Sequence, residues 1–324
     1  MTVKEKVLEL FEQNRGIYLS GEEIAEKLDC TRGAVWKAVK SLQENGYNIS
    51  AVTNKGYCLD VCTDILSAAG VRKYLVGEAE KLDISVFSCV ESTNLILLEN
   101  ANNGASEGKV VIAGSQTKGR GRLGRTFFSP SETGLYMSIL LRPNMSADKA
   151  VKITTAAAVA VCRAIEKISD LKPEIKWVND IYLNGKKVCG ILTEASFSME
   201  NGRLEYAVLG IGVNAYEPKN GFGDEIKDIA GAVFTERQND LRNRLAGEIL
   251  VSFMELYKEL DKNTFYDDYR SRMMWIGEQI NVISWDKKIP AKLVDIDEDC
   301  RLKVIYDDGT EGFVSSGEIS IRKI

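Results

Sequence analysis

Three guanidinium groups fall within six residues of one another in the segment Ser115-Gln116-Thr117-Lys118-Gly119-Arg120-Gly121-Arg122-Leu123-Gly124-Arg125. Arginine is permanently charged and grips phosphate or carboxylate bidentately, and interspersed glycine lets backbone amides approach an anion closely. Three clustered cations repel one another, so this loop is expected to order fully only around an anionic ligand. Gly119, Gly121 and Gly124 satisfy Gly-x-Gly-x-x-Gly spacing, but a dinucleotide site needs a helix to open at once. Here Phe128-Ser129-Pro130-Ser131-Glu132-Thr133-Gly134 follows, which is turn chemistry. A Gly-x-x-x-x-Gly-Lys-Ser/Thr phosphate loop is also missing. The chain contains no histidine, which removes Ser-His-Asp and Cys-His nucleophilic chemistry and His-ligated metals. Catalysis is left to Lys, Arg, Asp, Glu, backbone amides and a bound cofactor. Taken alone, the loop could equally be a solvated basic turn.

Four other groups have plain structural readings. Ser92-Thr93-Asn94 could cap the helix that follows. Lys187, just past Asn184-Gly185, could be a surface hairpin lysine like Lys186. Asn179 and Asp180 follow Lys176-Trp177-Val178, in which Trp177 suits the core. Gly210 and Gly212, before Asn214, could serve close strand packing alone.

Around these residues the elements read as follows. The first sixty residues give three helices and a hairpin. Val3, Val7, Leu10 and Phe11 recur at helical spacing. Ser20 with Glu23 predicts a capping box, and Thr31 caps a third helix. In that helix Val35, Val39 and Leu42 share one face, and Arg32, Gly33, Trp36, Lys37 and Lys40 the other. Two short β segments, 47–52 and 56–59, joined through Lys55, complete a helix-turn-helix with a β wing. Residues 1–60 hold eight Lys/Arg against nine Asp/Glu, whereas 31–43 carry three basic residues and no acid. A DNA-reading helix and a three-helix protein-interaction module both fit, and so small a surplus implies few phosphate contacts per subunit.

A short helix is expected over 64–74. Strands are expected at 83–89, 109–113, 135–141, 176–183, 187–194 and 204–214, with helices at 93–100, 147–168 and 241–260. Asn184-Gly185 marks a hairpin. Several strands follow one another without intervening helices, which predicts a mixed or antiparallel sheet and an α+β class. From about 277, short β segments (279–284, 288–296, 301–306, 312–315) with a turn at Asp307-Asp308-Gly309 predict a small terminal β barrel.

At 324 residues with 44% hydrophobic and 27% charged content, the chain has the composition of a soluble multidomain protein. The net charge of −5 means that nucleic-acid binding would need a local basic surface. Seven scattered cysteines suit reduced structural thiols. No window approaches the ~18 apolar residues that span a bilayer and no signal-peptide core is visible, so a cytoplasmic location is expected.

Four motifs, in order, resemble those of the bifunctional biotin–protein ligases that act as biotin-operon repressors in bacteria. They are Glu91-Ser92-Thr93-Asn94; Gln116 with Gly119-Arg120-Gly121-Arg122-x-Gly-Arg125; Lys176-Trp177-Val178-Asn179-Asp180 with Lys187 and Gly190-Ile191-Leu192-x-Glu194; and Gly210-Ile211-Gly212-Val213-Asn214. Thr31-Arg32-Gly33-Ala34-Val35-Trp36-Lys37 with Lys55-Gly56-Tyr57 resembles the family's helix-turn-helix and wing. The likeness covers essentially the whole chain. Val178 departs from it, standing where many relatives have proline.

The resemblance implies a winged helix-turn-helix domain (1–63), a central mixed-sheet ligase domain (64–272) and a C-terminal SH3-like β barrel (273–324). It implies ATP-dependent formation of biotinyl-5′-AMP, transfer of biotin to a lysine of a biotin carboxyl carrier domain, and repression with the adenylate as corepressor. Ser92, Thr93, Asn94, Gln116, Arg120, Gly121, Arg122 and Lys187 would bind biotin. Arg122, Arg125, Lys187, Asn179 and Asn214 would bind ATP or the adenylate, and Lys187, Arg122, Arg120 and Asp180 would be catalytic. Ser20, Thr31, Arg32, Gly33, Trp36, Lys37, Lys40 and Lys55 would face operator DNA. Magnesium would accompany ATP with undetermined protein ligands, and the adenylate would promote a homodimer. A lipoate ligase and a regulator that senses biotin without transferring it are the competing readings.

Overall fold

The order of helix caps along the N-terminal segment determines its architecture. In the computed structural model, which describes residues 1–284, 287–315 and 319–323, α1 (Val3–Gln13), α2 (Gly21–Lys27) and α3 (Arg32–Glu44) precede a hairpin of β1 (Ile49–Val52) and β2 (Gly56–Leu59). Thr2 and Glu5 form a reciprocal capping box on α1. Ser20 and Thr31 accept backbone N–H groups at α2 and α3. The capping box expected at Ser20 is only half made: Ser20 Oγ accepts from Glu23 N, but the Glu23 carboxylate turns to Lys27 at 2.8 Å, an i,i+4 partner on the exposed face. Val7, Phe11, Ile24, Val35, Val39, Leu42, Ile49 and Leu59 form one core. The helix expected over 64–74 is the shorter α4 (Ala68–Arg72), begun by Ser67, whose Oγ accepts from Gly70 N. These elements and residues 236–247 make one compact unit. Within it, Glu12 is buried and meets Arg15 and Lys73 at 2.7 Å each. Arg15 also reaches Asp240 at 2.7 Å, and Arg242 pairs with Asp64 at 2.8 Å.

The second unit comprises residues 76–235 and 248–324. Its centre is a seven-stranded sheet assembled from β3 (Asp83–Phe87), β4 (Lys109–Ala113), β5 (Gly134–Leu141), β6 (Glu174–Lys176), β7 (Asp180–Leu183), β8 (Lys186–Phe197) and β9 (Leu204–Asn214). The order is β3-β4-β5-β9-β8-β7-β6. The β3–β4 pair is parallel and the other neighbours are antiparallel, the mixed sheet that consecutive strands without helices predict. Helix α5 (Thr93–Asn102) joins β3 to β4, and α6 (Val151–Ile168) lies between β5 and β6. The alanine-rich centre of α6 is fully buried. Two expected elements are interrupted. Residues 176–183 are not one strand: Trp177-Val178-Asn179 turn between β6 and β7, and the Trp177–Val178 peptide is cis. Residues 147–149 form a separate 3-10 turn ahead of α6. The β7–β8 hairpin is as predicted, with φ of 50° at Asn184 and 75° at Gly185, the paired positive values of a type I′ turn.

Helices α7 (Leu241–Lys258) and α8 (Tyr266–Arg272) lead to β10 (Gln279–Ser284), β11 (Lys287–Ile296), β12 (Leu302–Tyr306), β13 (Glu311–Val314) and β14 (Ile319–Lys323). They form a five-stranded antiparallel sheet in the order β13-β12-β11-β10-β14. Its last strand lies beyond the segments the sequence announces. The Trp177 indole donates to the carbonyl of Cys300 at 2.9 Å, tying the turn after β6 to this terminal sheet.

Candidate functional site

A cavity of about 470 Å³ opens on the central sheet, bounded by the start of α5, the 116–127 loop, β7, β8 and the glycines of β9. Its floor is neutral and polar. Ser92, Thr93 and Asn94 are all buried at the entry to α5. Ser92 makes no side-chain capping bond, so helix capping by its hydroxyl does not explain it. Gln116 Oε1 accepts from Thr93 N at 2.9 Å, and its Nε2 donates to Ser129 at 3.0 Å. Ser138 Oγ, fully buried on β5, lies 2.7 Å from Thr93 Oγ1 and donates to Asn94 Oδ1 at 2.6 Å. Asn94 Nδ2 donates to Glu194 at 2.8 Å. This satisfied network explains the β9 glycines. A Cβ at Gly210 would stand 2.2 Å from Asn94 Oδ1, and one at Gly212 would stand 2.6 Å from the Phe127 ring. The glycines therefore serve close packing, and what packs on them is the floor and wall of the cavity.

The rest of the lining is rich in cations. Between Gly119 and Phe127 the loop forms a narrow turn, in which Phe127 N donates to Gly119 O at 2.9 Å and Gly121 N to Arg125 O at 2.7 Å. Arg120 pairs with Glu194 at 3.0 Å. Arg122 donates to Asn179 Oδ1 at 2.9 Å, while Asn179 Nδ2 is held by Ile191 O at 2.8 Å. Burial pushes the Arg122 guanidinium below its ordinary pKa, a tendency that nearby Asp180 opposes and Arg125 reinforces. Lys187 meets Asp180 at 2.6 Å. Arg120, Arg122, Arg125, Lys176 and Lys187 line the cavity, and Asp180 is the one carboxylate among its described lining residues. A cation surplus beside neutral hydrogen-bonding side chains suits a ligand that carries both an uncharged polar group and an anionic one.

Of the expected site residues, Ser92, Thr93, Asn94, Gln116, Arg120, Gly121, Arg122, Arg125, Asn179, Asp180 and Lys187 all border this one cavity. Asn214 does not. Its Nδ2 donates to Gly231 O at 3.0 Å, anchoring the segment whose Ile229 carbonyl accepts from Lys187 N at 2.7 Å. Lys186 does not line the cavity and donates to the carbonyl of Asp228 at 2.6 Å. Sequence reasoning missed Ser138, Phe127 and Ile229 and gave Glu194 no role. Ser138 was detectable in principle as the one serine in the largely apolar run Gly134–Leu141; Phe127 and Ile229 carried no signal.

In the N-terminal unit, Arg32, Gly33, Trp36, Lys37 and Lys40 are exposed together on α3, behind buried Val35, Ala38, Val39 and Leu42. Ser20 and Thr31 are exposed caps, and Lys55 sits on the wing 5.9 Å from the Tyr18 ring centroid.

The profile of the Biotin/lipoate A/B protein ligase family matches residues 86–214, an HTH domain profile matches 3–58, and the Biotin protein ligase C terminal domain matches 275–322. The Bifunctional ligase/repressor BirA of Bacillus subtilis (strain 168) is 34% identical over 97% of this chain and 98% of its own. The protein of that name from Escherichia coli (strain K12) is 28% identical over 95% and 94%. The solved biotin protein ligase from Aquifex aeolicus in complex with biotin and ATP superposes with a TM-score of 0.62 at 28% identity, covering 75% of this chain and 99% of that one. Matched over nearly its whole length by such a relative, and carrying both a ligase-family and an HTH profile, the chain belongs to the family of bifunctional biotin–protein ligases and repressors.

Proposed function

We propose that the cavity activates biotin as biotinyl-5′-AMP and passes the biotinyl group to a carrier-domain lysine. The observation that carries this reading is the make-up of the site: neutral hydrogen-bonding side chains of Thr93, Asn94 and Gln116, with Arg122 and Lys187 on the lining of the same cavity. Biotin offers a neutral ureido ring and a carboxylate in that order. Ser92, Thr93, Asn94 and Gln116 would take the ring, while Arg120, Gly121, Arg122 and Lys187 close around the valerate carboxylate. A carboxylate oxygen attacks the α-phosphorus of ATP and pyrophosphate leaves. The acceptor amine then attacks the acyl carbonyl, AMP leaves, and the amide nitrogen sheds its proton to water. Arg122, Arg125 and Lys187 would stabilise charge on the α-phosphate through both steps, and Asn179 would hold Arg122 in place. Asn214 would act on the nucleotide through the 229–231 segment that it anchors. Magnesium entering with ATP would be held chiefly by phosphates and water, with Asp180 the available carboxylate.

The chain would divide into an operator-binding domain (1–63), a catalytic domain (64–272) and a terminal β domain (273–324); the matched spans 3–58, 86–214 and 275–322 fall one within each. The exposed basic face of α3, with Ser20, Thr31 and Lys55 at its flanks, would read operator DNA. The adenylate, by ordering the arginine loop, would favour a homodimer and so couple ligand state to repression. No helix among the described residues is long and apolar enough to cross a membrane, consistent with work in the cytoplasm.

The test is transfer of labelled biotin to a carrier-domain lysine, dependent on ATP. Labelling with biotin supports the reading. Pyrophosphate exchange stimulated by lipoate and not by biotin overturns it, as does operator binding that responds to biotin without any transfer.

A further inference from the structure

We infer that Glu194 is a positioning residue that ties the arginine loop to the floor of the biotin cavity, so that the two halves of the site are aligned by one carboxylate. The inference rests on the proposed biotin reading of this cavity. Glu194 lies on β8 and is not among the residues lining the cavity. Its two oxygens go separate ways. One pairs with Arg120 Nη1 at 3.0 Å, and the other accepts from Asn94 Nδ2 at 2.8 Å.

A carboxylate can only accept hydrogen bonds. Asn94 must therefore turn its amide nitrogen towards Glu194 and its oxygen towards Ser138, which donates at 2.6 Å. That settles the amide orientation and, through Ser138, the environment of Thr93, whose N–H and hydroxyl both meet Gln116. The same carboxylate holds Arg120 where the loop leaves its Gly119–Phe127 stem. A glutamine at 194 could not serve both partners. Its oxygen could accept from Arg120 or from Asn94, and its amide nitrogen would then face a donor. The near-absence of space above Gly210 leaves Asn94 little room to adjust. Charge-assisted bonds that fix ligand-facing groups act on ligand affinity more than on a chemical step made by other cations.

The experiment compares biotin-dependent ATP–pyrophosphate exchange with backbone hydrogen exchange of residues 119–127 in the full chain. Glu194→Gln is expected to raise KM for biotin roughly tenfold to thirtyfold while kcat at saturating biotin stays within about threefold, and to speed exchange of the loop amides in the ligand-free protein. Glu194→Asp, which keeps the charge, is expected to recover part of the KM. Ser138→Ala, which cuts the network away from the loop, is expected to raise KM with loop exchange unaltered. Unchanged KM and loop exchange in Glu194→Gln overturn the inference. So does a loss of melting temperature and kcat with KM intact, which would make Glu194 a structural strut. Should Glu194→Gln fail to fold, the double-mutant cycle of Arg120→Gln with Asn94→Ala, the two residues that meet the Glu194 carboxylate, decides. Non-additive effects on KM support a shared carboxylate between them, and additive effects overturn it. Wild-type protein that shows no biotin-dependent exchange removes the function reading; the loop-exchange comparison still decides the link between Glu194 and the loop.

Discussion

Arg122 and Lys187, the two cations that the proposed reaction relies on, sit in different surroundings. Arg122 is held by Asn179 at 2.9 Å, and Lys187 by Asp180 at 2.6 Å. Both are only partly exposed, so a charge developing on a phosphate beside them is poorly screened by water. Replacing Arg122 with Gly, or Lys187 with Ala, is expected to slow biotinyl-adenylate formation by roughly 10²–10³, the scale of losing one preorganised charge-stabilising group. DNA binding by the N-terminal unit is expected to remain intact, because neither residue belongs to it. Single-turnover adenylation and a gel-shift assay on the same preparations check this; normal ligation by both variants would remove them from the site. The floor residues make a complementary case. Thr93, Asn94 and Gln116 were legible as ligand candidates through the family motifs that they resemble. Their partner Ser138 was not, because its role depends on β5 passing beneath α5.

At the scale of elements, the arginine loop and strand β9 impose opposite demands. In the proposed reaction the loop would close on the ligand, and its glycines and three like charges favour mobility without one. Limited proteolysis after Arg120, Arg122 or Arg125 is expected to be fast in the ligand-free protein and suppressed by biotin with ATP. Equal cleavage rates in both states would mean that ligand does not order the loop. Strand β9 must be bare. Gly210→Ala would press a methyl group to 2.2 Å from Asn94 Oδ1, against a side chain already bonded at both ends. A destabilisation of about 1–3 kcal/mol is expected from such overpacking, together with weaker biotin binding. Gly212→Ala meets the Phe127 ring, which can swing with the loop, so its thermal stability is expected to fall less. Denaturation curves of the two variants test that order.

Across the whole molecule, the N-terminal unit is held by charge as well as by its apolar core. Glu12 is nearly fully buried with Arg15 and Lys73 both 2.7 Å away. Glu12→Ala would remove one of the two carboxylates that Arg15 and Lys73 share, and a loss of about 2–3 kcal/mol is expected, below the cost of a fully unpaired buried charge because Asp240 still partners both cations. Chemical denaturation followed in the N-terminal unit measures it. The coupling of ligand to repression predicts that biotin plus ATP raises the sedimenting mass towards a dimer. Unchanged mass with unchanged operator affinity would sink the corepressor reading. Because α3 offers only Arg32, Lys37 and Lys40 as basic contacts, binding per subunit is expected to depend shallowly on salt, and dimerisation to steepen it.

Local rules were enough to read much of this protein from its sequence. Helix caps at Ser20 and Thr31, the Asn184-Gly185 turn, the amphipathic face of α3 and the run of strands without helices all act over a few residues, and each appeared where its spacing placed it. The absence of histidine together with the glycine-spaced arginines pointed to cationic chemistry before any contact was known. What only tertiary structure decided are the relations between distant segments. The turn at Trp177–Asn179, where one strand was expected, is tied through the Trp177 indole to Cys300. Asn214 is drawn to Gly231 and away from the cavity wall. Glu194 becomes intelligible only when β8 brings it between Arg120 and Asn94. The physical reason is common to all three. A hydrogen-bonding side chain takes its role from whichever partner the fold delivers, and a sequence shows the donor or acceptor but not the strand on which its partner arrives.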